Sequence, residues 1–272
     1  MITIIQAIRE PVSLATVLRE YRDYGLLLKH LALRDIRLRY RHASLGLAWV
    51  ILQPLVSMIV FATVFARVLR PSTGAIPYSL FALAGLVPWN FFSSSASRAC
   101  LAFVSNGALL TKVYFPRAIL PASAVLGSAV DLVAGCVLVL AYSLWNGVHA
   151  DWRWMLLPAV ALQTILATFF ISLGLATLNA VQRDVKHAMQ FLMQLWLYAS
   201  PVVYPASLVS GKYRWLFGLN PMTGVLDGFR WCLFGTPPEP VLYFSSLASL
   251  VAFAIGSCWL FNRFELSLAE RV

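Results

Sequence analysis

Long uncharged runs separated by short charged stretches dominate the pattern of this chain. From His42 to Ala66 there is no Asp, Glu, Lys or Arg. As a helix rising about 1.5 Å per residue, the stretch from Gly46 to Ala66 would measure roughly 30 Å, the hydrocarbon thickness of a bilayer. A buried helix of a soluble protein rarely stays uncharged for that length. The first span is therefore placed at about 46–68, and the same pattern predicts five more at about 78–98, 118–145, 154–180, 188–207 and 240–262. The segment ahead of the first span differs. Leu28, Leu31, Ala32, Ile36 and Tyr40 share one face of a helix, while Lys29, Arg34, Arg37 and Arg41 lie mostly away from it. Such a helix lies in the membrane interface, its cations among anionic headgroups. The alternation Arg37-Leu38-Arg39-Tyr40-Arg41 blurs the stripe at its end.

Several spans carry polar or helix-breaking residues. Gln53 and Pro54 predict a kink in the first. In the second, GLVPWNFFSSSASR at 85–98 places Pro88 before four serines, which fits either close helix packing or a broken segment facing a translocation path. The loop 99–117 predicts a short surface helix that starts near Ser105-Asn106-Gly107, runs over Ala108 to Tyr114 and is ended by Pro116. Asp131 is a carboxylate inside the third span, a functional candidate because its desolvation is costly. With no His, Lys or second acid close by in sequence, a structural hydrogen-bonded acid is the favoured reading. Gln190, Gln194 and Tyr198 share a face of the fifth span, suited either to a polar path or to interhelical hydrogen bonds. The apolar pieces of 207–239 are too short to cross and are interrupted by Pro221 and glycines, which predicts re-entrant or interfacial helices on the outer side, with Asp227 and Arg230 spaced to pair.

Composition agrees. Sixty percent of residues are hydrophobic and 12% charged, against about a quarter charged in soluble domains. The expectation is an all-α polytopic membrane protein, divided into a cytoplasmic lead-in and interfacial helix at 1–45, a membrane domain at 46–265 and a cytoplasmic tail at 266–272. The net charge of +10 gathers beside spans rather than on a polar domain, so its partner is the anionic membrane surface and not nucleic acid. Fifteen of the 21 Lys and Arg fall on the side that holds the N-terminus, which predicts cytoplasmic N- and C-termini. The four cysteines are isolated, with no metal-ligand spacing. No cleavable signal peptide is apparent, since Glu10 and Glu20 precede the apolar run.

Six stretches, in order and covering nearly everything past residue 24, carry a family resemblance. They are LRDIRLRYRHASLGLAWVILQPL at 33–55, GLVPWNFFSSS at 85–95, LLTKVYFPR at 109–117, RDVKH at 183–187, SPVVYP at 200–205 and LNPMTGVLDGFR at 219–230. The chain resembles the membrane (permease) subunit of type 2 ABC exporters, in the branch that exports O-antigen, teichoic acid or capsular polysaccharide. The resemblance implies a homodimer around a central channel, each copy docking a separate ATPase subunit, so two copies of that partner, at the bacterial inner (plasma) membrane. It implies a coupling element at Asn106, Leu110, Lys112, Tyr114 and Pro116, a second docking surface at 25–41, and external gate helices at 208–235. The chain itself has no G-x-x-x-x-G-K-[ST] motif, because Gly211-Lys212 is followed by Tyr213. No cofactor is expected on it; ATP and Mg would be bound by the partner, and the chain is expected to be a transport subunit rather than an enzyme.

Sugar rings present apolar C–H faces and polar rims. The candidates for a path that lets a polymer slide are therefore Trp49, Phe61, Trp89, Phe92, Gln190, Gln194, Trp196, Tyr198 and Tyr204, although aromatic residues also belong to interface belts. Arg34, Arg37, Arg39 and Arg41 are candidates to receive the diphosphate of a lipid-linked polysaccharide, since guanidinium groups bind phosphate bidentately. Topology and anionic lipid are the favoured explanation of that cluster. Export of a drug or small lipid is the alternative function. A polyprenyl-lipid enzyme is disfavoured because the inner loops beyond the N-terminal region offer only Asp184 and His187. A channel is disfavoured because no charged filter is evident.

Overall fold

The computed structural model describes residues 24–41, 48–68, 76–113, 115–206 and 213–268. All regular elements among the described residues are helical. They are α1 (Gly25–Arg41), α2 (Ala48–Val68), α3 (Tyr78–Cys100), α4 (Ala102–Ser105), α5 (Gly107–Lys112), α6 (Ile119–Trp145), α7 (Leu157–Val181), α8 (Val185–Tyr198), α9 (Arg214–Gly218), α10 (Pro221–Phe234) and α11 (Pro240–Phe264). A 3-10 turn at Trp152–Leu156 leads into α7, and another at Glu265–Ser267 follows α11. Ile119–Trp145, Trp152–Val181 and Pro240–Phe264 are long and apolar enough to cross a membrane, and Ala48–Val64 is a shorter apolar stretch.

The bundle is built around α3, which packs against α2, α6, α7, α8 and α10. Seventeen of its 23 residues are buried, so it is shielded from lipid and can carry polar side chains that a lipid-facing helix could not. The helix runs unbroken through Pro88, which of the two readings left open for this stretch favours close helix packing. Neighbours pack around the segment and support the helix across a residue that would weaken an isolated one. Lipid tails are as apolar as Leu, so association between spans depends on close packing. Gly135 of α6 shows this: a Cβ there would run into the Val87 side chain of α3.

One end of the bundle gathers α1, α4, α5 and the chain after α11. Leu31, Phe103, Leu110, Ile119, Leu120, Phe261 and Leu268 form a single buried cluster there. Helix α1 is continuous to Arg41, so the charge alternation at 37–41 does not end it. The expected short helix of the 99–117 loop is present as α5, starting at Gly107, and an additional turn of helix, α4, precedes it. Asn106 does not cap the helix that follows; its Nδ2 donates to the Ala102 carbonyl at 2.9 Å, closing the preceding turn.

The fifth span departs most from expectation. Its helix begins at Val185 and stops at Tyr198, giving 14 residues, about 21 Å at the usual rise where a single helix over 188–207 was anticipated. Residues 199–206 continue in turns, because Pro201 and Pro205 cannot donate to a helical ladder. Beyond it, α10 starts as its sequence suggests. Asn220 accepts from the Met222 amide at 3.0 Å, Pro221 occupies the first turn, and Gly235 ends the helix in the left-handed region at φ 70°.

Candidate functional site

Three polar regions stand out in an otherwise apolar bundle. The first is a groove of about 620 Å³ between α3 and α8. Ser93 and Ser97 face it from α3, and Lys186, Gln190 and Gln194 from α8, with Trp89 at one wall. Helix α8 meets the rest of the chain along a narrow stripe in which Met189 and Met193 are buried. Gln190, Phe191, Gln194 and Tyr198 are exposed. Helical spacing of four puts both glutamines on the open side. Behind the groove, Phe92 meets Trp196 edge-on at 5.1 Å and Trp89 at 5.4 Å.

The second region joins α1 to the bundle. Asp131 of α6 receives Arg39 Nη1 at 2.5 Å and the Tyr40 hydroxyl, both from α1. Arg98 of α3 approaches the same carboxylate at 3.9 Å. Ser128, one turn earlier on α6, accepts from Arg39 at 3.2 Å and from Arg98 at 2.5 Å. A carboxylate with cationic and phenolic donors around it can stay charged away from water. Burial, and the hydrogen bond to Asp131, raise the Tyr40 phenol above its ordinary value of 10. Nearby, Arg34 donates to Asn106 Oδ1 at 3.0 Å, tying α1 to the loop between α4 and α5. Together these contacts fasten α1 to α6 and to the α4–α5 loop, and Arg98 joins α3 to the same point on α6.

The third region lies at the opposite end, where the turns after α8 leave backbone carbonyls outside any helix. Tyr78 donates to the Val203 carbonyl at 2.6 Å and Arg230 to the Val202 carbonyl at 2.7 Å. Arg230 is buried, lies 3.8 Å over the Phe81 ring and pairs with Asp227 at 3.9 Å. Gly85 makes the approach feasible, since a Cβ there would collide with the Val202 carbonyl. Asn220 completes the joint, accepting from Trp196 Nε1 at 3.0 Å and donating to Ser200 at 2.7 Å. Side chains thus satisfy groups that would otherwise sit unpaired at membrane depth.

The residues singled out from sequence distribute unevenly among these regions. Trp89, Gln190 and Gln194 come together on the groove. Phe92 is fully buried and Trp196 half-buried, hydrogen-bonded to Asn220, so both brace the groove from behind. Tyr204 donates to the Tyr198 carbonyl at 2.7 Å beyond the end of α8. Trp49 faces a separate cavity beside Asp131, and Phe61 packs partly buried against the core. Leu110 is buried, Lys112 exposed, and Pro116 accepts from the Ile119 amide at 3.0 Å. Tyr114 lies outside the described residues. Among the four arginines, Arg39 is taken up by Asp131 and Arg34 by Asp35 and Asn106, while Arg37 is exposed. The side chain of Arg41 is not among those described.

Residues 27–234 match the family model described as ABC-2 type transporter. The chain belongs to the ABC-2 type transporter family. Over 256 residues, 92% of this chain and 98% of the relative, it is 30% identical to the O-antigen export system permease protein RfbA of Myxococcus xanthus. It is 28% identical over 199 residues to the protein of the same name from Klebsiella pneumoniae, covering 72% of this chain and 76% of the relative. It is 24% identical over 251 residues to the polysialic acid transport protein KpsM of Escherichia coli, covering 88% and 94%. As an ABC-2 transporter chain it is a multi-pass membrane protein and a transport subunit rather than an enzyme.

Sequence reasoning missed the partners of Asp131. The signal was present in part: Arg39 stands eleven, eight and seven residues after Leu28, Leu31 and Ala32, which puts it on the inner face of α1 rather than among the outward cations. It also missed Asn179, which donates to the Cys100 carbonyl at 3.0 Å and accepts from the Lys186 amide at 3.0 Å, pinning the turn before α8 to the end of α3.

Proposed function

We propose that this chain is the permease subunit of an ATP-driven exporter that moves a lipid-linked polysaccharide across the bacterial inner membrane. The observation that carries the reading is similarity along nearly the whole chain to a permease named for O-antigen export. In this reading α2, α3, α6, α7, α8 with its following turns, and α11 make six crossings, with both termini in the cytosol. Two copies face each other across the open side of α8, so that their grooves form one polar path. Gln190, Gln194, Ser93 and Ser97 offer hydrogen bonds to sugar hydroxyls, and Trp89 an apolar face to sugar C–H groups. None of these grips tightly, which suits a polymer that must slide.

Energy comes from a separate ABC ATPase, one subunit per copy, which binds ATP and Mg. It docks on α1 and on the loop carrying Asn106, Leu110, Lys112, Tyr114 and Pro116. The bonds from α1 to Asn106 and Asp131 support this, because force applied at α1 would pass directly into α6 and the α4–α5 loop. The segments α9 and α10 act as the outer gate, braced by Arg230. The test is recovery of the chain from its own membranes in mild detergent, followed by an ATPase assay of the complex and staining of surface polysaccharide in a deletion strain. A nucleotide-hydrolysing partner and polymer retained inside the deletion strain are expected. Recovery without such a partner, together with unchanged surface polymer, would overturn the reading.

A further inference from the structure

A cavity of about 190 Å³ lies between α2, α3, α6 and the end of α1, away from the groove assigned to the polymer. Its polar wall holds Arg39, Arg98, Asp131, Asn90 and Gln53, and its apolar wall Val50, Pro54, Val87 and Phe91. Two donors there are buried with no hydrogen-bond partner, Asn90 Nδ2 and Arg98 Nε. Orphaned donors at membrane depth are costly and call for an acceptor. The charges indicate its sign. Asp131 is committed to Arg39 at 2.5 Å, while its distance to Arg98 is 3.9 Å. Two guanidinium groups against one carboxylate leave a single positive charge in excess, centred on Arg98.

Depth indicates what carries the acceptor. Arg98 lies two residues from the end of α3 at Cys100. Asn90 is eight residues further in, about 12 Å along the helix axis. The cavity therefore starts near headgroup level and continues inward along apolar wall. We propose that it binds the phosphate ester of a lipid, with Arg98 Nε as the donor to the phosphate and the first segment of the lipid running inward along Val50, Pro54 and Phe91 toward the Asn90 amide. The phosphate could belong to an anionic phospholipid or to a lipid-linked substrate, since both present the same chemistry. The second source rests on the export reading above; the binding itself does not.

The experiment uses the purified full-length chain in mild detergent and measures retained lipid by native mass spectrometry. The probes are phosphatidylglycerol, a polyprenyl diphosphate, and diacylglycerol as a lipid without phosphate. Retention of one or both phosphate lipids over diacylglycerol is expected. Arg98→Gln should cut that retention about tenfold and Asn90→Leu, deeper in the cavity, should reduce it less, whereas Arg263→Gln, an exposed cation at the end of α11 outside the cavity, should leave it unchanged. Arg98→Lys should retain an intermediate amount and serves if Arg98→Gln does not fold. Displacement of phosphatidylglycerol by the polyprenyl diphosphate assigns the site to substrate; failure of that displacement assigns it to membrane lipid. Equal retention of diacylglycerol, wild-type retention by Arg98→Gln, or an equal loss in Arg263→Gln would overturn the proposal. The assay contains neither ATPase nor glycan, so it can fail or succeed independently of the export reading.

Discussion

Removing the Asp131 carboxylate tests how α1 is held. In Asp131→Asn the side chain keeps its size but loses its charge, and Arg39 and Arg98 face each other without a counterion. Breaking a fully buried pair costs about 3–5 kcal/mol. Here Arg39 and Asp131 retain 20% and 22% of their side-chain exposure, and interhelical hydrogen bonds in membranes average about 0.6 kcal/mol. Between those limits, a loss of about 2–3 kcal/mol is expected, including the bond from Tyr40. For a chain of this size that corresponds to about 4–12 °C in the apparent melting temperature. A double-mutant cycle with Arg39→Gln isolates the pair, read by thermal unfolding of a fluorescent fusion on size exclusion. The coupling should exceed about 1 kcal/mol, because the second substitution removes a partner already lost. Additivity of the two changes within about 0.5 kcal/mol would refute the claim that this ion pair fastens α1 to α6.

Three further outcomes follow from the other regions. Arg230→Ala strands the Val202 carbonyl and Asp227, and should destabilise the chain by about 3 kcal/mol; hydrogen exchange at 199–206 should rise by orders of magnitude more than exchange in α7. Gly85→Ala drives a methyl into the same carbonyl and should cost about 1–3 kcal/mol, with Gly25→Ala, which meets nothing within 4 Å, as the neutral comparison in the same unfolding assay. The raised Tyr40 phenol stabilises the fold while protonated, a contribution present below its ordinary value of 10 and lost as pH climbs through the higher folded value; Tyr40→Phe should therefore flatten the alkaline limb of the stability profile.

The spans were legible because hydrophobic run length is a one-dimensional signal. Ile119–Trp145 and Pro240–Phe264 fall within about two residues of their predicted bounds. The helix α1 was legible too, from the spacing of Leu28, Leu31, Ala32, Ile36 and Tyr40. What could not be read was which polar groups meet. Arg39 and Asp131 are 92 positions apart, and Tyr78 and Val203 are 125 apart; local spacing carries nothing at that range. Prolines were poor guides. Pro88 sits where neighbours enclose the helix, and α3 continues through it. Pro201 and Pro205 sit where Tyr78 and Arg230 supply donors to a non-helical backbone, and α8 ends before them. The surroundings decide which of the two a proline does. For the groove, the spacing of Gln190 and Gln194 located one wall, while the facing serines of α3 emerged only once the helices were packed.

Leu268 is completely enclosed by the cluster that also holds Leu31, Phe103 and Phe261. The stretch after α11 thereby acts as a strap across the buried side of α1. Shortening the chain to residue 264 would uncover Leu31 and loosen the seat of α1, although every long apolar helix would be intact. A purification tag appended to the carboxyl end needs a spacer long enough not to tug this strap free, or the purified material will look poorly coupled for reasons unrelated to the transport pathway.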